Sequence, residues 1–319
     1  MVAEGGTEYG HMVTYARSKD PYGPFEAYAQ NPVLTNRNLG GNENHIQGIG
    51  HGDLIETPYG ENFMVCLGFR IQSDWMPFHH LGREVFLVPV TWDKNGWFTA
   101  GVDGTVQTVM DLPLKASEQK INGRYDVSFE TIKNEPQRFC HLREYHPECY
   151  EFTENSVTLF GNRFTLNDTE SPTFLGVRQS EFDTELTVSL TGNSPEAGIT
   201  FYLSEEHHYD LAVLCKEKKR TLILRLRIGD AVMTAKEIEL PEDAQIILKV
   251  VSDAAQYHFY GIINEEEILL GSARTKYLSS EVAGGFTGVV MGMYAVNPNE
   301  DQKQKAQFTN LYWKQGTDR

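Results

Sequence analysis

Short runs in which apolar and polar positions alternate follow one another from residue 8 to about residue 113, and no helical period separates them. The pattern predicts strands. Residues 11–18 run through the turn Lys19-Asp20-Pro21-Tyr22-Gly23-Pro24 into Phe25-Glu26-Ala27-Tyr28. Residues 52–56 are joined by Pro58-Tyr59-Gly60-Glu61 to residues 62–68, and residues 83–92 by Asp93-Lys94-Asn95-Gly96 to Trp97-Phe98-Thr99. The last of these, a turn between two aromatic-rich runs, is a strong hairpin signal. Strand pairs at this spacing suit propeller blades or a sandwich, and pattern alone does not choose between them.

From residue 125 onward the runs lengthen and alternate more regularly, as in residues 156–160, 185–190, 221–228, 245–251 and 257–263. Many such strands predict an antiparallel sandwich. Between the two patterns the chain turns polar, with Lys115-Ala116-Ser117-Glu118-Gln119-Lys120 the clearest part. The predicted organisation is therefore a first domain over 1–114, a linker over 115–134 and a sandwich over 135–319. Glu265-Glu266-Glu267 reads as a solvated turn, because adjacent carboxylates point in different directions.

Composition adds exclusions. The 319 residues are enough for two ordinary cores, and 17 Phe, 15 Tyr and 4 Trp favour β-structure. A formal net charge of -16 opposes binding to nucleic acid or to anionic membrane surfaces, and no apolar run is long enough to span a bilayer. Cys66, Cys140, Cys149 and Cys215 lack C-x-x-C spacing and read as plain thiols, although Cys140 and Cys149 have the option of pairing in a secreted chain. There is no basic and apolar leader, which makes the cytoplasm the default and leaves secretion open if residues precede Met1. Asn167-Asp168-Thr169 is a glycosylation sequon, of weight only in a secreted chain.

Four positions carry candidate chemistry. Glu4 lies in Glu4-Gly5-Gly6-Thr7, a carboxylate on a turn whose glycines let backbone come close. Arg83 follows Gly82; its guanidinium suits sugar hydroxyls or a carboxylate to be held in place, with a surface pair to Glu84 as the plain alternative. Phe286, among Gly284, Gly285 and Gly288, suits stacking on a sugar face or packing in the core. His51, just before an apolar run, reads first as a hydrogen-bonded core histidine. Asp20, Asp53, Asp93 and Asp103 are the other carboxylates to weigh as a base, and three of them sit in Pro/Gly turns that aspartate favours for local bonding.

Taken in order, Glu4-Gly5-Gly6-Thr7, Tyr9-Gly10-His11, Ala16-Arg17-Ser18, Gly23-Pro24-Phe25-Glu26 and Asn31-Pro32-Val33-Leu34-Thr35 resemble the fourth-blade region of family 43 glycoside hydrolases of the β-xylosidase type. Gly50-His51-Gly52-Asp53-Leu54 and Leu81-Gly82-Arg83-Glu84 resemble the next two blocks of that family. Arg178-Gln179, Glu196-Ala197-Gly198-Ile199 and Gly285-Phe286-Thr287-Gly288 are similar to motifs of its C-terminal domain. The resemblance implies an all-β chain: about two blades of a five-bladed β-propeller, then a concanavalin A-like (jelly-roll) β-sandwich. It implies inverting cleavage of terminal xylose or arabinofuranose from xylo- or arabino-oligosaccharides, with Glu4 as general acid. Arg83 and Phe286 become substrate-binding residues, and His51 a channel residue beside a calcium ion.

The family's general base and its second, pKa-tuning aspartate belong to earlier blades, and nothing in this sequence corresponds to them. The resemblance therefore implies a chain that is inactive alone, with its first 110 or so residues poorly folded unless another chain, or a second copy, completes the ring. One half of a two-chain glycosidase, or a non-catalytic sugar-binding or structural sandwich, are the alternative readings.

Overall fold

A computed structural model describes residues 1–40, 45–72, 75–111, 125–217, 219–242, 244–299 and 301–316. The chain divides into two compact units, Met1–Lys120 and Ile121–Arg319. Residues 115–124 of the expected linker lie outside the described residues.

The first unit contains β1 (Val2–Glu4), β2 (Met12–Thr14), β3 (Ala16–Arg17), β4 (Glu26–Ala27), β5 (Ile46–Glu56), β6 (Asn62–Arg70), β7 (Glu84–Trp92) and β8 (Phe98–Ala100). Strands β5 to β8 form a four-stranded antiparallel meander in chain order, the shape of one propeller blade. The turns form where the sequence places them. The Asp93 carboxylate accepts from the backbone N–H groups of Asn95 (2.8 Å) and Trp97 (2.9 Å), and Gly96 takes the left-handed conformation the hairpin requires. Ahead of this blade, β1 pairs with β2 and β3 with β4, and only Tyr15 separates β2 from β3. These make part of a second blade.

Two polar side chains knit this core. The Tyr15 hydroxyl donates to the Phe98 carbonyl and accepts from the Phe98 N–H, both at 2.8 Å, while its ring stacks on Phe98 at 4.1 Å. Asn36 is fully buried; its Nδ2 donates to the Ile46 and Val106 carbonyls at 2.8 Å, and its Oδ1 accepts from the Val106 N–H at 2.9 Å. Fully bonded in this way, the amide escapes the cost of burial.

The second unit begins with β9 (Tyr125–Val127) and α1 (Phe129–Asn134). Ser128 caps α1: its hydroxyl accepts from the Thr131 N–H, and the Thr131 hydroxyl accepts from the Ser128 N–H. Phe129 and Ile132 are in the sandwich core and β9 pairs with a sandwich strand, so residues 125–134, expected as linker, are part of this unit. The strands that follow are β10 (Tyr150–Phe152), β11 (Ser156–Phe160), β12 (Thr173–Arg178), β13 (Thr184–Gly192), β14 (Glu196–Ser204), β15 (His207–Lys216) and β16 (Lys219–Ile228). Next come β17 (Ala231–Leu240), β18 (Ile246–Ser252), β19 (Gln256–Ile263) and β20 (Glu266–Arg274). The chain ends with α2 (Ser280–Ala283), β21 (Val290–Val296) and β22 (Lys305–Gln315).

One antiparallel sheet runs β10-β11-β22-β13-β18-β19-β20, with β9 also on β22; the other runs β12-β21-β14-β15-β16-β17. Inward side chains of both sheets, among them Phe201, Tyr209, Leu248, Phe259, Phe308 and Trp313, close a single core. The fold is all-β, as the alternation predicts. Glu265 and Asn264 form the turn between β19 and β20 with positive φ, but Glu267 is not merely solvated, since Lys249 donates to it at 2.7 Å.

Candidate active site

Glu4 is the last residue of β1, paired with Met12 of β2, and its side chain is exposed. The loop that follows is closed by its glycines. Gly5 has φ +78° and lies so near Gly10 that a Cβ there would fall 1.9 Å from the Gly10 carbonyl oxygen, which leaves no room for any other residue. His11 N–H donates to the Glu8 carbonyl at 3.0 Å and turns the chain back into β2.

Arg83, just before β7, grips this loop from a distance of some seventy-five positions in sequence. One Nη donates to the Thr7 carbonyl (2.6 Å) and to the Glu8 carboxylate (2.7 Å), and the Arg83 side chain is only 11% exposed. The plain alternative of a pair with Glu84 does not form. Glu84 instead takes a forked pair of bonds from Arg70 on β6. The bonds to Thr7 and Glu8 tie Arg83 to the loop that follows Glu4. An aromatic stack braces the same loop, with Tyr9 edge-on to Phe69 at 5.2 Å and Phe69 flat on His79 at 3.9 Å.

His51 is exposed, has φ +53°, and sits at an irregularity of the β5–β6 register. It is not the core histidine that its sequence context suggests; His11 is. His11 is 2% exposed and its Nδ1 lies 3.0 Å from the Gly48 carbonyl, while its ring packs on Gly50 so closely that a Cβ there would come within 2.3 Å. Burial holds the His11 pKa below its ordinary value; the charges of Arg83 and His51 push the same way, and the Gly48 bond and Glu8 oppose them. Sequence reasoning missed Glu8, His11 and Phe69. The Tyr9-Gly10-His11 and Gly48-Ile49-Gly50 spacings are the signal, since each glycine of the second stretch makes room for a ring.

No group of three or more His, Cys, Asp or Glu side chains placed to hold a metal occurs among the described residues. Calcium seeks several oxygen ligands, so an exposed His51 by itself does not fit a calcium site. Two of the aspartates weighed as a base do local work. Asp20 accepts from the Tyr22 N–H and Asp93 from its own turn, and Asp103 has φ +50° in the Val102–Thr105 turn. Asp53 is an exposed residue of β5.

Phe286 is on the sandwich unit, 60% exposed, after Gly284 and Gly285 with φ +74° and +80°. Core packing is thus excluded for it. The other sandwich motifs are structural: the buried Gln179 accepts from the Tyr257 hydroxyl at 2.7 Å, and Glu196 accepts from Arg225 and from Tyr294. Cys66, Cys140, Cys149 and Cys215 form no disulfide with one another.

The family model "Glycosyl hydrolases family 43" matches residues 1–98, and the model "Beta xylosidase C-terminal Concanavalin A-like domain" matches residues 127–314. A non-reducing end alpha-L-arabinofuranosidase of Bacteroides ovatus is 35% identical over 97% of this chain and 58% of its own length. A xylosidase/arabinosidase of Butyrivibrio fibrisolvens is 30% identical over 92% of this chain and 57% of its own length. Among solved structures, a Bacteroides ovatus family 43 protein superposes with TM-score 0.85 at 34% identity, covering 99% of this chain and 62% of the other. A xylan beta-1,4-xylosidase of Bacillus halodurans gives 0.82 at 26% identity, over 98% and 62%. The chain thus spans less than two thirds of the length of these relatives. With both models matched in order along nearly its whole length, the chain belongs to glycoside hydrolase family 43, of the kind that carries the β-xylosidase C-terminal concanavalin A-like domain.

Proposed function

We propose that this chain carries the acid half of an inverting glycosidase site that releases terminal xylose or arabinofuranose, with Glu4 as the general acid. The carrying observation is the loop Gly5 to His11, which is tied down at Thr7 and Glu8 by Arg83 and braced by Tyr9 on Phe69. An acid that must meet a leaving oxygen at a set distance from its partner base needs such a fixed mount. Inversion requires a second carboxylate some 6.5 to 9.5 Å away to activate water. Asp20 and Asp93 are committed to their own turns, and we assign the base to residues outside this chain. Phe286, an exposed aromatic, is the sandwich's candidate for stacking on a sugar ring.

Hydrolysis of aryl xylosides and aryl arabinofuranosides tests this, with the chain alone and with the preceding propeller segment of a family relative added in trans. Turnover that depends on the added segment and is lost in Glu4→Gln supports the reading. Turnover by the chain alone that survives Glu4→Ala overturns the assignment of Glu4, and the absence of turnover with the segment present overturns the acid-half reading.

A further inference from the structure

At the edge of the larger sandwich sheet, β10 and the segment before it gather aromatic rings that the cleavage reading does not use. Tyr145 is 48% exposed and Phe152 40%, and Tyr150 lies between them, with centroids 5.3 Å from Tyr145 and 6.3 Å from Phe152. Tyr150 and Phe152 alternate with Glu151 along β10, so their rings share one face, and their planes lie within 7° of parallel. His141 backs the group at 4.4 Å from Tyr145 and 4.9 Å from Tyr150.

The central ring, Tyr150, and the His141 behind it are fixed in place. The Tyr150 hydroxyl donates to the Phe174 carbonyl at 2.9 Å and accepts from the Phe174 N–H at 3.2 Å, and His141 Nδ1 lies 3.0 Å from the same carbonyl. A platform that is already ordered loses little entropy when it binds. The segment that carries it is acidic: Glu144 and Glu148 are exposed on either side of Tyr145 in the sequence, and His146 lies 4.0 Å from Glu144 and 3.6 Å from Glu148. Carboxylates accept hydrogen bonds from hydroxyl groups and repel anions. At 150–250 Å² for a whole aromatic side chain, the two exposed rings offer roughly 200 Å² together. A stable protein interface buries about 800 Å² on each partner, so the patch is too small for one. Flat apolar rings with acceptors at the rim match the C–H face and the outward hydroxyls of a neutral sugar.

We propose that Tyr145, Tyr150 and Phe152, none of them among the residues assigned to cleavage, form a carbohydrate-binding platform on the sandwich, which takes a neutral oligosaccharide at least two sugar units long. The choice of xylose as the sugar rests on the functional reading above; the platform itself does not.

The full chain is titrated calorimetrically with xylohexaose and with cellohexaose. Binding is expected, and Tyr145→Ala/Phe152→Ala weakens it by at least about tenfold, at roughly three- to tenfold per ring. Tyr145→Leu/Phe152→Leu keeps the bulk, guards against misfolding, and weakens binding similarly because the flat faces are gone. The double variants are expected to weaken binding by the same factor in a Phe286→Ala/Glu4→Ala background, so failure of the cleavage reading does not move this result. Binding of cellohexaose alone keeps the platform and removes only the choice of xylose. Binding unchanged in both double variants, loss of binding confined to Phe286→Ala, or absence of binding of either sugar overturns the proposal. So does a change of oligomeric state in the double variants, which would make the patch a contact between copies.

Discussion

Asp210→Asn is expected to destabilise the sandwich by about 3 kcal/mol, within the 3–5 kcal/mol that breaking a buried charge pair costs. Asp210 is fully buried on β15, in register with Thr200 of β14 and Arg225 of β16. Its Oδ1 accepts from the Thr200 hydroxyl (2.7 Å) and lies 2.9 Å from His208 Nδ1, and its Oδ2 accepts from Arg225 Nε (2.8 Å). An amide has the same shape but presents an N–H₂ to groups that are themselves donors, and it leaves Arg225 with Glu196 as its remaining anionic partner. Burial by itself would raise the Asp210 pKa, but the His208 charge and bond, Arg225 and the Thr200 hydroxyl outweigh it and hold the carboxyl at about 2. Against an unfolded value of about 3.9, at 1.36 kcal/mol per unit, ionisation of this group contributes about 2 to 3 kcal/mol. The folded pKa is depressed, so that contribution is complete above the unfolded value and is lost as the pH falls through about 4 towards 2. Hydrogen-exchange mass spectrometry on peptides from β14 to β16 across a urea series, at about pH 6 and about pH 3, reads both effects. The gap between wild type and Asp210→Asn should narrow in acid, and Thr200→Val should cost only about 1 kcal/mol. A variant within about 1 kcal/mol of wild type at pH 6, or a gap that widens in acid, would refute the reasoning.

Arg83→Ala should raise hydrogen exchange at residues 5–9 by about tenfold or more, the loss of charge-assisted bonds worth about 1.5–3 kcal/mol, with Arg83→Lys in between. Equal exchange in all three proteins would mean that the loop does not depend on this grip. Gly5→Ala should lower the stability of the first unit by well over the roughly 1 kcal/mol expected for Gly6→Ala. Both positions have positive φ, yet only Gly5 has a carbonyl in the way of a Cβ, so thermal scans of the pair separate clash from conformation. Burial pushes the Cys66 thiol up to about 12, so iodoacetamide should leave Cys66 unmodified in the native protein and label it in urea, as read by peptide mass mapping.

Legibility in the sequence followed the size of the buried face. Strands β18 and β19 alternate buried and half-buried residues over their full length, because each packs one face on a single wide core, and both are plain in the sequence. Strand β5 is eleven residues long, yet the sequence shows only its last part. Gly48, Gly50 and Gly52 look like turn residues, but they are there to admit Phe69, His11 and Met64, whose atoms would lie within 2.5 Å of any Cβ. Tertiary packing, not local propensity, makes that stretch a strand. Helix α1 is six residues long and held by its cap and two buried side chains, too short to show a period.

The same contrast explains the site. Glu4 is legible because its glycines are adjacent in sequence and mark a backbone that must fold tightly on itself. Its support is not, because the nearest charge in sequence is a poor guide to the nearest charge in space. Arg83 has Glu84 beside it, but successive residues entering a strand point to opposite faces, and Glu84 is turned towards Arg70 on the neighbouring strand. That leaves Arg83 to the other side, where Glu8 and the Thr7 carbonyl come round on the loop from β1. A half-exposed Glu8 paired with an arginine that is 11% exposed contributes little to stability at the surface end and more at the sheltered end. The contact therefore does more to fix where the loop lies than to hold the unit folded. Glu8→Gln should accordingly leave the melting temperature nearly unchanged while loosening residues 5–9. A melting temperature lowered by more than about 4 °C, with exchange in the loop unaltered, would assign Glu8 to stability instead.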